Sequence, residues 1–483
     1  MHESFPGAGT RLGAHVSVAV RRRILSSALM RALIFLRNEQ LVRDFLTTGA
    51  FDALERQGAA FVGEGDPSET IAARDGYAGS IPPTSRERAR DYVEVRELLL
   101  TSYRFKSRTV RVKLAQRSLL ARTVVKLGAM PGRRQLRIAH LLRRTGLRAE
   151  VTEAIRRSAP DLVVTPSGGI HASEFDFLRS AHALGIPSLA LMYNWDNLSS
   201  KSAFVTQPDY LGVVGSQSAE HARTIHGFPG ERVEVLGSPY IDRHFRHEPG
   251  STESPFPFRY VLFAGCYQPF DELAALERID RAIDQHGLDL KVVYLPHPRR
   301  LPRRRPDFVD EQQLRNVVIE PRVRAGYLAA FGSDGKGPGL ADRTLPVDAY
   351  PALLEHADHV VCPLSTMMVE AAIFGKRVLV IAYHDGLHET SPGVAIDYLH
   401  FEGVDDVELF TVCREEAALA DAFLALARER TAPRPPPKEQ MDRWIYHDER
   451  SFSERLEAFV ARIEAERSSR PPVSAPPLRA AGG

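Results

Sequence analysis

At 483 residues the chain exceeds what one hydrophobic core normally organises, so two domains of roughly 200 residues each are expected. An apolar content of 43% beside 26% charged residues excludes a disordered chain, and a net charge of +2 gives no reason to invoke nucleic acid. Three scattered cysteines, Cys266, Cys362 and Cys413, have no CxxC or Cys/His spacing, which argues against a disulfide framework or structural zinc and suits a reducing cytoplasm.

Residues 1–29 carry Arg21-Arg22-Arg23 but no continuous apolar core or cleavage pattern, so they read as a flexible extension and not as a secretion signal. Met30 directly precedes the first strand, Ala32–Leu36, a short apolar run closed by Arg37-Asn38. Apolar residues at helical spacing predict a helix over 40–57, stopped by Gly58, and Ala59–Val62 is the next strand. Residues 98–149 then hold 14 Lys/Arg and no Asp or Glu. Apolar residues interleave with them, so the segment reads either as a helical surface for an anionic membrane or as an insertion with a solvated basic face.

The α/β rhythm returns with a helix at 152–158 and strands at 161–165, 186–192, 209–214 and 233–236, with helices at 174–184 and 216–226. The Pro/Ser/Gly stretch 249–257 is expected to be a linker. A second series follows: strands at 260–264, 290–295, 317–319, 359–362 and 377–381, with helices at 271–286, 348–356 and 366–374. Segments 322–346 and 384–400 read as long loops, and a last helix covers 451–464.

The expectation is an α/β protein of two Rossmann-like domains facing a cleft. The first spans 30–248 with a basic helical insertion at about 98–149, and the second spans 256–435. A C-terminal helix lies within 436–468, and 469–483 form a disordered tail.

In open parallel sheets ligands bind beyond the carboxyl ends of the strands, so polar residues just after each strand are the candidates. Ser365 and Thr366 open a helix whose N-terminal amides suit a diphosphate, with Glu370 one turn on to accept from ribose hydroxyls. The same residues also fit a plain helix cap. His297, beside Arg299 and Arg300 at a strand end, suits a phosphate or a leaving oxygen, or is structural. Gly265 and Tyr267 lie in a tight loop where backbone can approach a ligand closely. In the first half, Asn194-Trp195-Asp196-Asn197 with Lys201 gathers polar groups around an indole. Asp196 is a candidate base and Asn194, Asn197 and Lys201 its partners, although Trp195 also suits a packing plug. Gly168-Gly169 with His171 and Glu174 is a second candidate base site.

These segments resemble a known group. The run from Gly185-Ile186-Pro187 through Trp195–Lys201 to Gly237-Ser238-Pro239 resembles bacterial GT-B-type surface-polysaccharide transferases. Leu295-Pro296-His297-Pro298 and Ser365-Thr366…Glu370-Ala371…Gly375–Val378 resemble the donor half of CDP-glycerol glycerophosphotransferases. They are also similar to the donor side of nucleotide-sugar 2-epimerases. Asp448-Glu449-Arg450-Ser451…Arg455 resembles the C-terminal end of the same transferases.

The resemblance covers roughly 155–245 and 260–460. It implies a nucleotide-diphosphate sugar as co-substrate on the second domain, a glycan or lipid-linked acceptor on the first, and no bound cofactor or metal. Position 378, eight residues after Glu370, is valine where a retaining Glu pair would have its second member, which favours inversion. Sugar transfer in cell-surface polysaccharide synthesis is therefore expected, on the cytoplasmic side with the basic segment at the inner membrane face. Glycerophosphate transfer, 2-epimerisation and a non-catalytic binding module are the alternatives.

Overall fold

The computed structural model describes residues 30–116, 131–166, 168–300, 308–330, 339–429, 434 and 437–469; the expectations for 1–29, and for the tail beyond Ser469, lie outside them. Two all-parallel sheets organise the chain. The first contains β1 (Ala32–Leu36), β2 (Ala60–Glu64), β3 (Tyr77–Ile81), β4 (Leu162–Thr165), β5 (Ser188–Leu191), β6 (Tyr210–Val213) and β7 (Val233–Val235), in the order β3-β2-β1-β4-β5-β6-β7. The second contains β8 (Tyr260–Ala264), β9 (Lys291–Leu295), β10 (Val317–Ile319), β11 (Val360–Pro363), β12 (Val378–Ile381) and β13 (Phe410–Cys413), in the order β10-β9-β8-β11-β12-β13.

Helices cover both faces of each sheet, so the central strands are apolar throughout, and every residue of β1 and β8 is buried. Strand order reverses between β1 and β4 and between β8 and β11. Those are the two switch points at which doubly wound sheets open a crevice.

Four local expectations are corrected. β3 was not anticipated. It is an edge strand with only Ile81 buried and with Gly79 at φ 103°, so it lacks an apolar run. The single helix expected over 40–57 is a short turn, Glu39–Leu41, capped by the Asn38 side chain, then a π-helical stretch, Val42–Leu46, then Asp52–Arg56. The expected loop at 322–346 begins with a helix, Pro321–Ala330.

The fourth correction concerns the insertion, which is helical but starts earlier than 98. Its described helices are Arg86–Tyr103, Arg108–Ala115 and Pro131–Thr145. Two of its arginines pair with carboxylates on the Arg86–Tyr103 helix, Arg137 with Glu94 at 2.7 Å and Arg144 with Asp91, and Arg88 of that helix pairs with the buried Asp176 at 2.7 Å. The carboxylates that answer Arg137 and Arg144 thus lie just before the acid-free window begins.

The last helix, Phe452–Ser468, returns to the first domain. It opens with a Ser451/Glu454 capping box and packs Phe452, Leu456, Phe459 and Val460 into the first-sheet core. Arg455 is 3% exposed and binds Asp242 at 2.6 Å and the Leu236 carbonyl at 2.8 Å. The strap leading to it passes close over Gly237. There φ is 84°, and a Cβ would meet the Tyr446 carbonyl oxygen at 2.3 Å, so glycine is required. One apolar cluster joins the domains, with Trp195, Leu198 and Ile241 from the first and Leu364, Met367 and Phe401 from the second.

Candidate active site

Because β9, β8 and β11 are neighbours, the loops after them converge on one face. After β11, Ser365 and Thr366 are half-buried at the start of the Thr366–Ile373 helix, and no side chain caps it. Its leading amides are left for a ligand or water. Glu370, on the same face, is 3% exposed, and its carboxylate lies 3.4 Å from His244 Nε2 of the first domain. Glu370 and Thr366 line a cavity of about 90 Å³ with Asp44, Tyr193, Asn194 and Tyr240 from the opposite side.

After β8, the Gly265–Cys266 backbone is held by a buried carboxylate beneath it. Glu272 is 1% exposed; it meets Arg300 Nη1 at 2.5 Å and accepts from the Tyr294 hydroxyl at 2.5 Å and the Cys266 amide at 2.9 Å. A Cβ on Gly265 would lie 2.8 Å from Glu272 Oε2, so the loop tolerates no side chain there. Tyr267 is 68% exposed, with its ring 5.7 Å from that of His297. Burial, then Arg299 and Arg300, push the His297 pKa down to about 4. The imidazole is neutral at pH 7 and accepts from the Arg299 amide at 3.2 Å. Arg299 itself crosses the cleft and donates to Gln40 Oε1 at 2.6 Å. Gln40 in turn donates to the Tyr193 hydroxyl at 2.7 Å.

On the first domain, Arg37 follows β1 and His171 follows β4, the two strands of the switch point. Arg37 Nη2 lies 3.3 Å from His171 Nε2, and since arginine only donates, the imidazole accepts. Burial, then Arg37, Arg96, Arg299 and Lys201, push the His171 pKa down to about 4. Both side chains wall a cavity of about 420 Å³ that also presents Glu64, Thr84, Tyr92 and Ser173. Glu174 is 1% exposed and accepts from the Ile170 amide at 3.2 Å, so it fastens the His171 loop.

The Asn194–Lys201 loop divides. Asn194 lines the small cavity below the cleft. Asp196 pairs with Lys201 at 3.0 Å. Burial works to raise the Asp196 pKa, but Lys201, His400 and Lys113 together outweigh it and hold the carboxylate below its usual range. Trp195 is 2% exposed within the joining cluster and Asn197 is fully buried. Trp195 thus takes the packing-plug alternative, while the Asn197 side-chain amide, expected as a partner of Asp196, is buried with no hydrogen-bond partner among the described residues.

Sequence reasoning passed over Arg37, Gln40 and His244. Arg37 stands directly after a strand, so the strand-end rule contained the signal. The contacts His244–Glu370 and Gln40–Arg299 form across the cleft, far apart in sequence.

No family model matches the chain, and no curated protein matches it. Solved structures do. A putative UDP-N-acetylglucosamine 2-epimerase from Listeria monocytogenes superimposes with a TM-score of 0.52 at 11% identity, over 92% of this chain and 98% of that one. The UDP-GlcNAc 2-epimerase from Methanocaldococcus jannaschii gives 0.51 at 11% identity, over 89% and 100%. The S. aureus MnaA–UDP co-structure gives 0.50 at 13%, over 92% and 99%. At such identities the likeness establishes the fold, a GT-B-like pair of Rossmann-like domains.

Proposed function

We propose that the chain is a GT-B-type glycosyltransferase that moves a sugar from a nucleotide-diphosphate donor, held on the second domain, to an acceptor hydroxyl held on the first. The observation that carries this reading is the cavity of about 420 Å³ at the β1/β4 switch point. Its size is that of a small-molecule pocket, and it shares the Arg37–His171 wall with the cleft. A reaction on the donor alone has no use for this second compartment.

On this reading the Thr366 helix N-terminus, Ser365 and His297 receive the diphosphate, and Arg299 adds charge that offsets the leaving group. The Gly265 loop and Tyr267 flank it, and Glu370 addresses the ribose once His244 gives way. The acceptor oxygen attacks the anomeric carbon, the bond to the diphosphate breaks, and His171 Nε2 takes the hydroxyl proton. The product is inverted. The acceptor class proposed is a glycan or lipid-linked saccharide at the cytoplasmic membrane face.

Structures of this fold in the comparison include 2-epimerases and a UDP complex, which supports a second reading, C2 epimerisation of a free nucleotide sugar. A thermal-shift panel of UDP, CDP, GDP, ADP, TDP and CMP, with His297→Ala alongside, tests the donor site. At about 100 times Kd one nucleotide is expected to add roughly 2.7 kcal/mol, about 5–10 °C for a domain of this size, and His297→Ala to abolish it. No stabilisation by any nucleotide sinks the donor assignment. Donor consumption without acceptor, yielding an epimer, establishes the second reading, and release of CMP from a CDP-polyol establishes glycerophosphate transfer.

A further inference from the structure

We propose that the acceptor is anionic, carrying a phosphate or diphosphate next to the reacting hydroxyl, and that Arg37 and Arg96 of the first domain form its anion site beside His171. The inference rests on the transferase reading and deepens it.

The carboxyl end of the first sheet is cationic where the second domain already supplies a phosphate site. Of the four charges that act on His171, three belong to the first domain: Arg37, Arg96 and Lys201. Lys201 is answered by Asp196 at 3.0 Å. Among the described residues, Arg37 is not answered by a carboxylate. Its contact is with a neutral imidazole at 3.3 Å, and its Nε is buried without a hydrogen-bond partner. Arg96 sends its Nε to the Lys201 carbonyl at 3.0 Å, which fixes its guanidinium over the same loop.

A half-buried guanidinium facing a neutral ring is costly unless a ligand supplies the counter-charge. Elsewhere the chain does supply partners: Arg88 has Asp176, Arg144 has Asp91 and Arg300 has Glu272. The donor's own diphosphate has its place across the cleft, at the Thr366 helix N-terminus. Arg37 and His171 instead wall the first-domain cavity, whose polar side is a network in which Thr84 and Ser173 donate to Glu64 at 2.8 and 2.9 Å. An anion there draws Arg37 from the imidazole and frees the Nε2 lone pair for the acceptor proton, so binding the correct acceptor also readies the base.

Inorganic pyrophosphate, titrated calorimetrically into the full chain, tests this. The titration is made alone and then with the stabilising nucleoside diphosphate at saturation. A pyrophosphate site that survives saturation and weakens at least about tenfold in Arg37→Gln supports the proposal. Arg223→Gln, at a surface pair with Glu220, is expected to leave it unchanged and controls for general charge loss. Complete displacement by the nucleotide overturns the proposal, because Arg37 then serves the donor's diphosphate. So does binding indifferent to Arg37→Gln and Arg96→Gln while both variants melt like wild type. If no nucleotide binds, the transferase reading fails, while the pyrophosphate titration alone still decides whether the anion site exists.

Discussion

Replacing Glu272 by alanine tests how the second-domain face of the cleft is held. Glu272 is 1% exposed, and its two oxygens serve Arg300, the Tyr294 hydroxyl and the Cys266 amide. Truncation leaves the Arg300 guanidinium, 8% exposed, without that carboxylate, and leaves a fully buried phenol without its acceptor. Removing one member of a buried ion pair costs about 3–5 kcal/mol, because the remaining charge stays desolvated. At about 2–4 °C per kcal/mol for a domain of this size, the melting temperature should fall by roughly 6–20 °C. Replacing both charges, Glu272→Leu with Arg300→Met, removes the stranded cation and should recover much of the loss. Thermal melts followed by circular dichroism measure all three proteins. A Glu272→Ala melt within about 3 °C of wild type, below the smallest expected shift, refutes the account of the network.

Acid should destabilise the fold through its histidines. His171, His221, His226, His297 and His359 are pushed down to about 4 and His400 to about 3, burial being the first cause in each. The unfolded chain binds these protons near its ordinary pKa of about 6.5 and the folded chain does not. Stability is therefore full above pH 6.5 or so and is lost as pH falls toward 4; a flat melting temperature between pH 6.5 and 4.5 contradicts buried neutral imidazoles. The insertion exposes Phe105 at 79% and Leu136 at 71% beside Arg104, Arg133 and Arg134. Substituting those three arginines by glutamine should lower sedimentation with anionic vesicles several-fold, and binding that ignores the change removes the membrane role.

What the sequence disclosed follows from what each residue can show locally. The central strands of both sheets are covered on two faces, so Ala32–Leu36 and Tyr260–Ala264 are continuous apolar runs and were legible. β3 is not, because an edge strand with a glycine at its centre carries no such run. The π-helical Val42–Leu46 turn keeps nearly helical apolar spacing, so periodicity reads it as ordinary helix. In the basic insertion the partners of Arg137 and Arg144, Glu94 and Asp91, lie outside the window counted, so the charge count could not show those pairs. At the site, strand-end position brought out His171, His297 and Thr366, whereas the burial of Trp195 depends on the apolar cluster that joins the two domains. The His244–Glu370 contact joins residues from opposite domains, and no local pattern announces it.

The two candidate bases differ in what surrounds them. Asp196 holds Lys201 at 3.0 Å, and His400 and Lys113 add to the pull. Lys201 and Lys113 belong to the protein's own packing, so a ligand does not remove them, and they keep the carboxylate a poor proton acceptor. His171 is held down first by burial and then by Arg37, whose partner is a neutral ring. A bound anion offsets the Arg37 contribution and so raises the imidazole pKa toward the range in which a base works near neutral pH. His171→Ala should then lower kcat by about 10²–10⁴ with donor affinity unchanged, and Asp196→Asn by far less. Its cost should appear in the melting temperature, because Lys201 and Lys113 lose their carboxylate. The reverse ranking of the two variants in steady-state assays returns the proton to Asp196 and removes His171 from the reaction.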